Sequence, residues 1–546
     1  MLASTMMDDF PLSLQMLFRH GRKVHFASNV ITWTGHQPRR VTFEATAERA
    51  ACLARALARL GVDQGDRVAT FMWNNQEHVE AYFAVPCMGA VLHTLNIRLF
   101  PEQLVYVVNH AEDKVIVVDD TLAPLVARVA EKLKTVEHYI VTGSGESEGL
   151  DAADAAVHRY DDLVGAEEPN FDWPAVSERA AAAICYTTGT TGQPKGVAYS
   201  HRSTVLHTIG TAANAVEPLT ESDRALIVVP QFHAMAWGLP YWCWMRGTDL
   251  LMPGQYLKAA PLAQMIETEK PTYAAAVPTI WNDLLHYTDA HPTDLSSLRY
   301  VTCGGAAVPR ALIDRFERDH GVAIVQGWGM TETSPAAAIA WPPRGVAADE
   351  ASAWHAKTGR VLAGVELRIV DENGVSLPWN GEAVGEIEVR GPWITARYIG
   401  DEAPERFHDG WLKTGDVGVV EPLGFIRITD RAKDIIKSGG EWISSVELEN
   451  ELMAHPDVLE AAVVGVPDER WDERPLACIV RREHTRVDLE SLRDFLADKV
   501  AHWWLPERWC FVEEIPKTSV GKFDKKTLRA RYADAELDVV TLVGSP

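Results

Sequence analysis

The residues best suited to chemistry form a loop rich in glycine and threonine, which reads Tyr-Thr-Thr-Gly-Thr-Thr-Gly-Gln-Pro-Lys-Gly at positions 186–196. Glycines such as Gly189 let backbone N–H groups approach an anion because no Cβ is in the way, and Lys195 adds a positive charge. Hydroxyl donors come from Thr187, Thr188, Thr190 and Thr191. This combination predicts a loop that binds the phosphates of a nucleotide such as ATP.

The spacing of this loop departs from the Walker pattern, since neither Gly189 nor Gly192 is followed five residues later by Gly-Lys-Ser/Thr. An ordinary P-loop NTPase is therefore not expected. The preceding run at 181–186 has the apolar character of a buried strand, which would hold the loop in place. A flexible surface loop is the alternative interpretation.

Length and charge limit the classes of protein that this chain can be. With 546 residues it is too long for one compact core, so two or more globular domains are expected. The net charge of −24 argues against a broad basic face for nucleic acid or anionic lipid. Any anion site must be local, and one lysine ~4 Å from a phosphate oxygen contributes about 4 kcal/mol at an effective dielectric of ~20.

The cysteines and the N-terminus indicate a cytoplasmic protein. Seven cysteines are scattered without a Cys-x-x-Cys pair, as expected of reduced core residues. Asp8 and Asp9 stand where a secretory signal needs basic residues, and no apolar run reaches the ~18 residues of a membrane span. A structural metal site is not expected, because the sequence lacks His-Glu-x-x-His. Small-molecule partners are expected, with transient membrane contact and a homodimer left open.

Short β-rich runs alternate with amphipathic helical segments through about residue 430, which predicts an α/β fold for a large N-terminal domain with more than one sheet. Expected strands are Arg67–Met72, Lys114–Asp119, His138–Thr142, Ala225–Val229, Thr272–Val277, Tyr300–Cys303 and Ala323–Gln326. Expected helices are Thr46–Leu60, Asn75–Met88 and Pro309–Asp319. Gly, Pro and Asn turns predict that Val365–Val370 and Gly385–Arg390 are antiparallel strands.

The pattern changes after Asp430-Arg431 and predicts a small, mobile C-terminal α+β domain of about 115 residues. We expect a helix at Ser445–His455, a strand at Val458–Val466, a helix at Val487–Val500 and a strand at Cys510–Glu514. The predicted domains are therefore residues 1–430 and 431–546. The short charged segment Thr429–Ser438 is the expected hinge between them.

Four further motifs follow the loop in the order and approximate spacing of one superfamily. They are Gly-Trp-Gly-Met-Thr-Glu-Thr (327–333), Thr-Gly-Asp (414–416), Asp-Arg-Ala-Lys-Asp-Ile-Ile-Lys-Ser-Gly-Gly-Glu (430–441) and Pro-Lys-Thr-Ser-Val-Gly-Lys-Phe (516–523). Each motif alone is weak, but five in register are specific. Over nearly its whole length the chain resembles the adenylate-forming enzymes, which include acyl-CoA synthetases, luciferases and adenylation domains of peptide synthetases.

The resemblance implies that Glu332 binds Mg²⁺ and that Thr331 donates a hydrogen bond to the α-phosphate of ATP. A carboxylate is the hard oxygen ligand that Mg²⁺ prefers. Trp328, between Gly327 and Gly329, could lie flat against a purine in the same nucleotide site. Taken singly, Glu332 would be a solvated surface charge and Trp328 a core residue.

Two other stretches are expected to hold the adenosine. The family match implies that Asp416 accepts hydrogen bonds from both ribose hydroxyls, with Arg431 as its partner. It also implies that adenine lies against Gly304, Gly305 and Ala306, where glycine permits close backbone approach. A turn aspartate and a tight glycine turn are the simpler interpretations.

Lys522, within Ser-Val-Gly-Lys, is the expected catalytic lysine. Attack of a carboxylate on an α-phosphate builds negative charge in the transition state, and a cation that reaches both groups stabilises it. The resemblance places Lys522 on the small domain, with Asp430 as the hinge residue. The alternative is one more exposed lysine among several.

Free coenzyme A is the expected acyl acceptor, because no carrier domain follows residue 546. The resemblance to CoA synthetases implies a passage for its pantetheine arm at Gly439, Gly440, Glu441 and Trp442. A solvent-exposed glycine turn would have the same sequence. Two other functions stay open, namely a stand-alone adenylating protein that loads a carrier-protein thiol and a non-catalytic acyl- or nucleotide-binding homologue.

The segment 228–240 bears on the acid. His233 and Trp237 stand where bacterial medium- and long-chain fatty acyl-CoA synthetases carry a pocket histidine and a tunnel-gating tryptophan, so a fatty acid is expected. Gln231 occupies a position that is usually apolar in that group, and Trp242 and Trp244 crowd the next helix. An unpaired tryptophan stripe is more often core than pocket, so neither of these two receives a ligand role.

Overall fold

The computed structural model describes residues 2, 4–7, 9–145, 149–150, 155–187, 193–347, 350–431, 434–438, 441–482, 484–517 and 523–542, without the side chains of Glu441 and Trp442. Its helices are α1 Leu14–Val24, α2 Phe43–Arg59, α3 Gln76–Cys87, α4 Pro101–Ala111, α5 Ala123–Ala127, α6 Tyr160–Gly165, α7 His201–Asn214, α8 Leu239–Arg246, α9 Ala259–Glu269, α10 Pro278–Ala290, α11 Arg310–His320, α12 Ala351–His355, α13 Ser445–Met453, α14 Leu489–Ala497 and α15 Lys525–Ala533.

The strands are β1 Asn29–Thr32, β2 Arg39–Thr42, β3 Arg67–Phe71, β4 Val91–Thr94, β5 Asp113–Asp119, β6 His138–Thr142, β7 Ala156–Arg159, β8 Ala181–Tyr186, β9 Gly196–Ser200, β10 Arg224–Ile227, β11 Asp249–Met252, β12 Tyr273–Ala276, β13 Tyr300–Gly304, β14 Ala323–Gly329, β15 Ala336–Ile339, β16 Gly359–Val361, β17 Glu366–Val370, β18 Gly385–Arg390, β19 Phe407–His408, β20 Trp411–Val420, β21 Phe425–Arg431, β22 Ile436–Ser438, β23 Glu441–Ile443, β24 Val458–Asp468, β25 Asp472–Arg481, β26 Arg508–Phe511 and β27 Val540–Thr541.

The large domain contains two sheets. The first has the order β7-β6-β5-β3-β4-β8-β9 and is parallel except for the β8–β9 hairpin. The second runs β2-β1-β11-β10-β12-β13-β14-β15-β16-β21-β20-β18-β17, with β19 beside β20. It is parallel from β1 to β14 and antiparallel from β15 onward.

Helices separate and cover these sheets. The central core joins apolar residues of both sheets with those of α1, α2, α3 and α8, so these helices lie between the sheets. Residues of α9, α10 and α11 pack on the outer face of the second sheet, and those of α4 and α5 on the outer face of the first. Successive side chains of a strand point to opposite faces, and accordingly Val68 of β3 belongs to the central core while Ala69 belongs to the outer one.

The small domain has a third sheet, ordered β23-β22-β25-β26-β27 with β24 beside β25. Its helices α13, α14 and α15 pack on this sheet through apolar residues such as Leu448, Leu492 and Leu528. The residues of both core clusters of this domain all follow Arg431 in the chain.

The strands and helices expected from the sequence are confirmed to within a few residues, with three differences. β14 continues through Gly329 rather than ending at Gln326, because Gly327 and Trp328 pair with β15. The strand expected at Cys510–Glu514 begins at Arg508 and ends at Phe511. The segment Thr429–Ser438 is partly strand, since β21 extends to Arg431 and β22 begins at Ile436. Among the described helices, none is both long and apolar enough to cross a bilayer.

Candidate active site

A cavity of about 1320 Å³ lies beyond the carboxyl ends of the parallel strands of the second sheet. Ligands of open α/β sheets bind outside this edge, at points where the strand order or direction changes. Here the change falls between β14 and β15, and both strands line the cavity. The small domain also contributes to the wall, through α13 and the beginning of α15.

Gly304, at the end of β13, permits a close approach of three segments. A Cβ on Gly304 would lie 2.7 Å from the carbonyl oxygen of Gly327 and 3.3 Å from the indole of Trp237. Any larger residue would therefore push β14 or Trp237 away. The expected adenine stretch Gly304, Gly305 and Ala306 lines the cavity at this point.

Trp237 lies in an unusual turn. Ala234, Met235, Ala236 and Trp237 have φ values of 43°, 56°, 49° and 58°, and this left-handed conformation costs L-residues roughly 1–2 kcal/mol each. Met235 and Ala236 are buried in the central core. The turn presents the Trp237 ring to the cavity beside Gly304.

The end of β14 turns sharply and exposes Thr331 and Glu332 to the cavity. A Cβ on Gly329 would lie 1.6 Å from the Pro335 carbonyl oxygen, so only glycine fits there. The short helical turn Thr331–Thr333 follows. The hydroxyl of Tyr199 donates to the Thr331 carbonyl at 2.6 Å, and that of Tyr398 donates to Glu332 Oε1 at 2.5 Å.

Trp328, Asp416 and Arg431 come together on neighbouring strands. The indole Nε1–H of Trp328 donates to Asp416 Oδ2 at 2.9 Å. Asp416 of β20 faces Arg431 of β21 across the pair, with Arg431 Nε 3.6 Å from Asp416 Oδ1. All three residues line the cavity, so the expected ribose and purine residues form one cluster.

The loop 186–196 connects the two strands of the β8–β9 hairpin. Thr187 N–H donates to the Lys195 carbonyl at 2.9 Å, and Lys195 N–H donates to Thr187 Oγ1 at 3.2 Å, which closes the base of the loop. Thr187 and Lys195 line the cavity. The remaining expected phosphate ligands of this loop, Thr188, Gly189, Thr190 and Thr191, lie outside the described residues.

Asp430 is buried where the two domains meet. Its carboxylate accepts hydrogen bonds from Ser445 N–H and Oγ–H, and Lys525 Nζ lies 2.6 Å from Ser445 Oγ and 2.8 Å from Glu449. Burial raises the pKa of Asp430 and raises that of Glu449 to about 7, although Lys525 opposes both changes. Burial disfavours the charged form of Lys525, but Glu449 and Asp430 outweigh it and raise the Lys525 pKa.

Part of the cavity wall is aromatic. His233 and Trp237 line the cavity together with Trp242, Tyr273, Tyr300 and Trp341. Trp242 thus faces the cavity, unlike Trp244, which stacks on Phe43 with ring centroids 4.2 Å apart. Gln231, which departs from the fatty acyl-CoA synthetases, is fully buried and is absent from the cavity wall.

Besides the residues of the phosphate loop, further expected site residues are not fully described by the structure. Lys522, Gly439 and Gly440 lie outside the described residues, and Glu441 and Trp442 are described only as backbone of β23. The sequence reasoning in turn missed Tyr199, Tyr398 and Lys525 as neighbours of the site. No short-range motif identifies them, since Tyr398 is 66 residues from Glu332 and Tyr199 is 132 residues from Thr331.

Comparison with known proteins agrees with this geometry. Residues 18–399 match the AMP-binding enzyme family, and residues 447–522 match the AMP-binding enzyme C-terminal domain. The chain is 45% identical over 541 residues to a long-chain-fatty-acid–CoA ligase of Thermus thermophilus, covering 97% of each chain. It is 41% identical over 529 residues to a 3-methylmercaptopropionyl-CoA ligase of Ruegeria lacuscaerulensis, covering 96% of this chain and 98% of that protein.

The crystal structure of the anthranilate CoA ligase AuaEII in complex with anthranoyl-AMP is also similar. Its TM-score is 0.87 at 28% identity, with 97% of this chain and 99% of that chain covered. The chain belongs to the AMP-binding enzyme family, and it is an adenylate-forming acyl-CoA ligase that uses ATP and coenzyme A as substrates. The family and the reaction class expected from the motifs are therefore confirmed.

Proposed function

We propose that this ligase activates a medium- or long-chain fatty acid. The acid and ATP form acyl-AMP and pyrophosphate, and coenzyme A then takes the acyl group to give acyl-CoA and AMP. The observation that carries this proposal is the continuity of the cavity. One cavity is lined by the nucleotide residues Thr331 and Asp416, by Trp237 and by the aromatic residues Trp341 and Tyr300.

In the first step, a carboxylate oxygen of the acid attacks the α-phosphorus as the bond to the bridging oxygen of pyrophosphate breaks. Thr331 donates to the α-phosphate, and Lys522 neutralises charge on both reacting groups. Thr187, Lys195 and the rest of their loop hold the β- and γ-phosphates. Asp416 and Arg431 hold the ribose, while the Gly304–Ala306 stretch and Trp328 flank the adenine.

In the second step, the sulfur of coenzyme A attacks the acyl carbon, the thiol proton is lost to solvent and AMP leaves. The passage for the thiol is assigned to Gly439, Gly440, Glu441 and Trp442. The same small domain carries Lys522, so the two steps need two orientations of residues 431–546 about Asp430.

Glu332 is proposed as the protein ligand of Mg²⁺. The ion usually takes one or two carboxylates together with substrate phosphates, and it supplies charge neutralisation to the polyphosphate when bound. The residues fit this arrangement, because Glu332 faces the cavity while no cluster of three acidic, His or Cys ligands exists among the described residues. Glu332 therefore needs the phosphates of ATP to complete the coordination.

A cytoplasmic location is supported by the seven cysteines, which are all buried and free. The function as a carrier-protein loader would require a separate thiol partner, and a non-catalytic homologue would not turn over. Both are distinguished from the proposal by consumption of free coenzyme A.

The test is a screen of CoA-dependent AMP release with straight-chain acids from butyrate to palmitate, branched, aromatic and sterol-side-chain acids, and 3-methylmercaptopropionate. We expect the highest kcat/KM with a medium- or long-chain saturated acid. Highest kcat/KM with an aromatic acid or with 3-methylmercaptopropionate would overturn the fatty-acid assignment. AMP release without CoA consumption would overturn the ligase assignment.

A further inference from the structure

The metal-binding turn is held by a segment that no sequence motif singled out. Residues 393–398 lie across the turn 332–336 and make four hydrogen bonds to it. Thr395 N–H donates to the Glu332 carbonyl at 2.8 Å, and Ser334 Oγ–H donates to the Trp393 carbonyl at 2.7 Å. Trp393 Nε1–H donates to the Ala336 carbonyl at 3.0 Å, and the fourth bond is that of Tyr398 to Glu332.

The bond from Tyr398 differs from the other three because it reaches the carboxylate itself. Its hydroxyl donates to Oε1 at 2.5 Å, and no described residue donates a hydrogen bond to Oε2. Glu332 is 8% exposed and lines the cavity together with the nucleotide residues Thr331 and Asp416. One oxygen is thus fixed and the other is available to a cation.

Tyr398 is suited to this task by its own surroundings. It is 3% exposed, and its ring packs edge-on against Phe407 with centroids 5.5 Å apart. A carboxylate can only accept, which fixes the direction of the bond.

The same segment also reaches the phosphate loop. Ile399 Cδ1 lies 2.9 Å from the position that a Cβ on Gly196 would take. Further along, Glu402 accepts from the Tyr106 hydroxyl at 3.3 Å and lies 3.8 Å from His110, whose ring bonds Tyr186 at the start of the loop. The segment therefore has a fixed position relative to both phosphate-binding motifs.

We propose that Tyr398 is a positioning residue that orients the Glu332 carboxylate, so that its second oxygen meets the divalent cation carried by ATP. The inference rests on the proposed role of Glu332. Ligand orientation by an outer hydrogen bond commonly changes metal affinity 10–100-fold. The Tyr398 hydroxyl thus acts through Glu332.

The experiment compares Tyr398→Phe, which keeps the ring and removes the hydroxyl, with the wild-type enzyme. Binding of Mn²⁺ is measured by electron paramagnetic resonance in the presence of saturating α,β-methylene-ATP. We expect Tyr398→Phe to weaken Mn²⁺ binding about 10-fold or more and to raise the Mg²⁺ concentration needed for half-maximal adenylation by a similar factor. The KM for the acid and thioester formation from supplied acyl-adenylate should stay within twofold.

Tyr256→Phe is the matched control, since the Tyr256 hydroxyl donates to the Thr34 carbonyl at 3.0 Å and the residue is absent from the cavity wall. This variant should leave Mn²⁺ affinity unchanged. A second test introduces Tyr398→Phe into a Glu332→Asp variant, whose shortened carboxylate is withdrawn from the Tyr398 hydroxyl. In the Glu332→Asp background, Tyr398→Phe should leave the Mn²⁺ affinity unchanged.

Unchanged Mn²⁺ affinity in a folded Tyr398→Phe protein would overturn the inference, as would an equal loss of affinity in both backgrounds. A wild-type enzyme that forms acyl-adenylate would show at the same time that the proposed function stands. A wild-type enzyme that forms none would instead overturn the proposed function, and the inference with it.

Discussion

The carboxylate of Asp430, at the end of the large domain, accepts hydrogen bonds from the backbone N–H of Ser445 at 2.7 Å and from its hydroxyl at 2.5 Å. Ser445 is the first residue of α13 in the small domain. The proposed hinge residue is therefore hydrogen-bonded to the small domain, which has to rotate. We infer that these hydrogen bonds break when the small domain rotates about Asp430.

Asp430→Pro should impair thioester formation from supplied acyl-adenylate more than it impairs adenylate formation. Proline fixes φ and removes an N–H at the pivot, so it opposes the change of orientation between the two steps. Asp430→Asn is the control, because an amide oxygen still accepts from Ser445 and φ stays free. The two half-reactions are followed by single-turnover kinetics. Equal losses in both steps for Asp430→Pro would argue against a hinge at this residue.

Lys522→Ala should slow adenylate formation by on the order of 10²–10³-fold, the scale for losing one transition-state charge contact. Thioester formation from supplied acyl-adenylate should survive. Lys517→Ala is a matched control from the same motif, since Lys517 pairs with Glu460 at 2.6 Å. If Lys522→Ala lowers both single-turnover rates equally, its role is not confined to the first step.

Much of this site could be predicted where a motif lies within one local element. The pairing of Asp416 with Arg431 was implied by the resemblance of their two motifs to the family, and the close approach at Gly304 needs only a glycine at a strand end. Both predictions placed their residues at the cavity. The predicted end of β14 at Gln326 was wrong. The sequence Gly-Trp-Gly resembles a turn, but its pairing with β15 keeps it extended.

Contacts between distant segments could not be predicted in this way. The bond from Tyr398 to Glu332 depends on how residues 393–398 cross the sheet, which no local periodicity encodes. Trp242 and Trp244 are two residues apart on α8 and look alike in sequence, yet one faces the cavity and the other the core. Only the packing of the second sheet against α8 separates them.

Trp237→Ala should change the preference for acid length. The ring lines the same cavity as Trp242, Tyr273, Tyr300 and Trp341, and its removal creates space there. Each methylene of pocket contact is worth ~0.8 kcal/mol, so a two-carbon change in accommodated length would move the kcat/KM ratio of long to short saturated acids roughly tenfold. Trp244→Phe, a change in the core alone, should leave the ratio unchanged. An unchanged ratio in a folded Trp237→Ala protein would make Trp237 a purely structural residue.

Protonation of His207 in the unfolded chain should lower the free energy of unfolding in mild acid. Burial lowers the pKa of His207 to about 3, and its Nε2 accepts a hydrogen bond from Ala336 N–H at 3.2 Å, as only the neutral ring can. The unfolded chain keeps a histidine pKa near 6.5, so it binds the proton first and the free energy of unfolding falls as pH drops below that value.

For this one group the loss between pH 7 and pH 5 is about 2 kcal/mol. His207→Gln, which retains an acceptor for Ala336 N–H, should therefore lose less stability than the wild type over the same interval. Urea unfolding of the large domain at the two pH values measures the difference. If the wild type and His207→Gln lose equal free energy of unfolding between the two pH values, His207 is not kept neutral by the fold.

Product stoichiometry tests the central claim most directly. With ATP, a fatty acid and coenzyme A, the account predicts one AMP and one pyrophosphate for each acyl-CoA formed, because the site is built around the α-phosphate and a carboxylate. Formation of ADP and free phosphate in place of AMP and pyrophosphate would mean that the reaction passes through an acyl phosphate, and it would contradict the account.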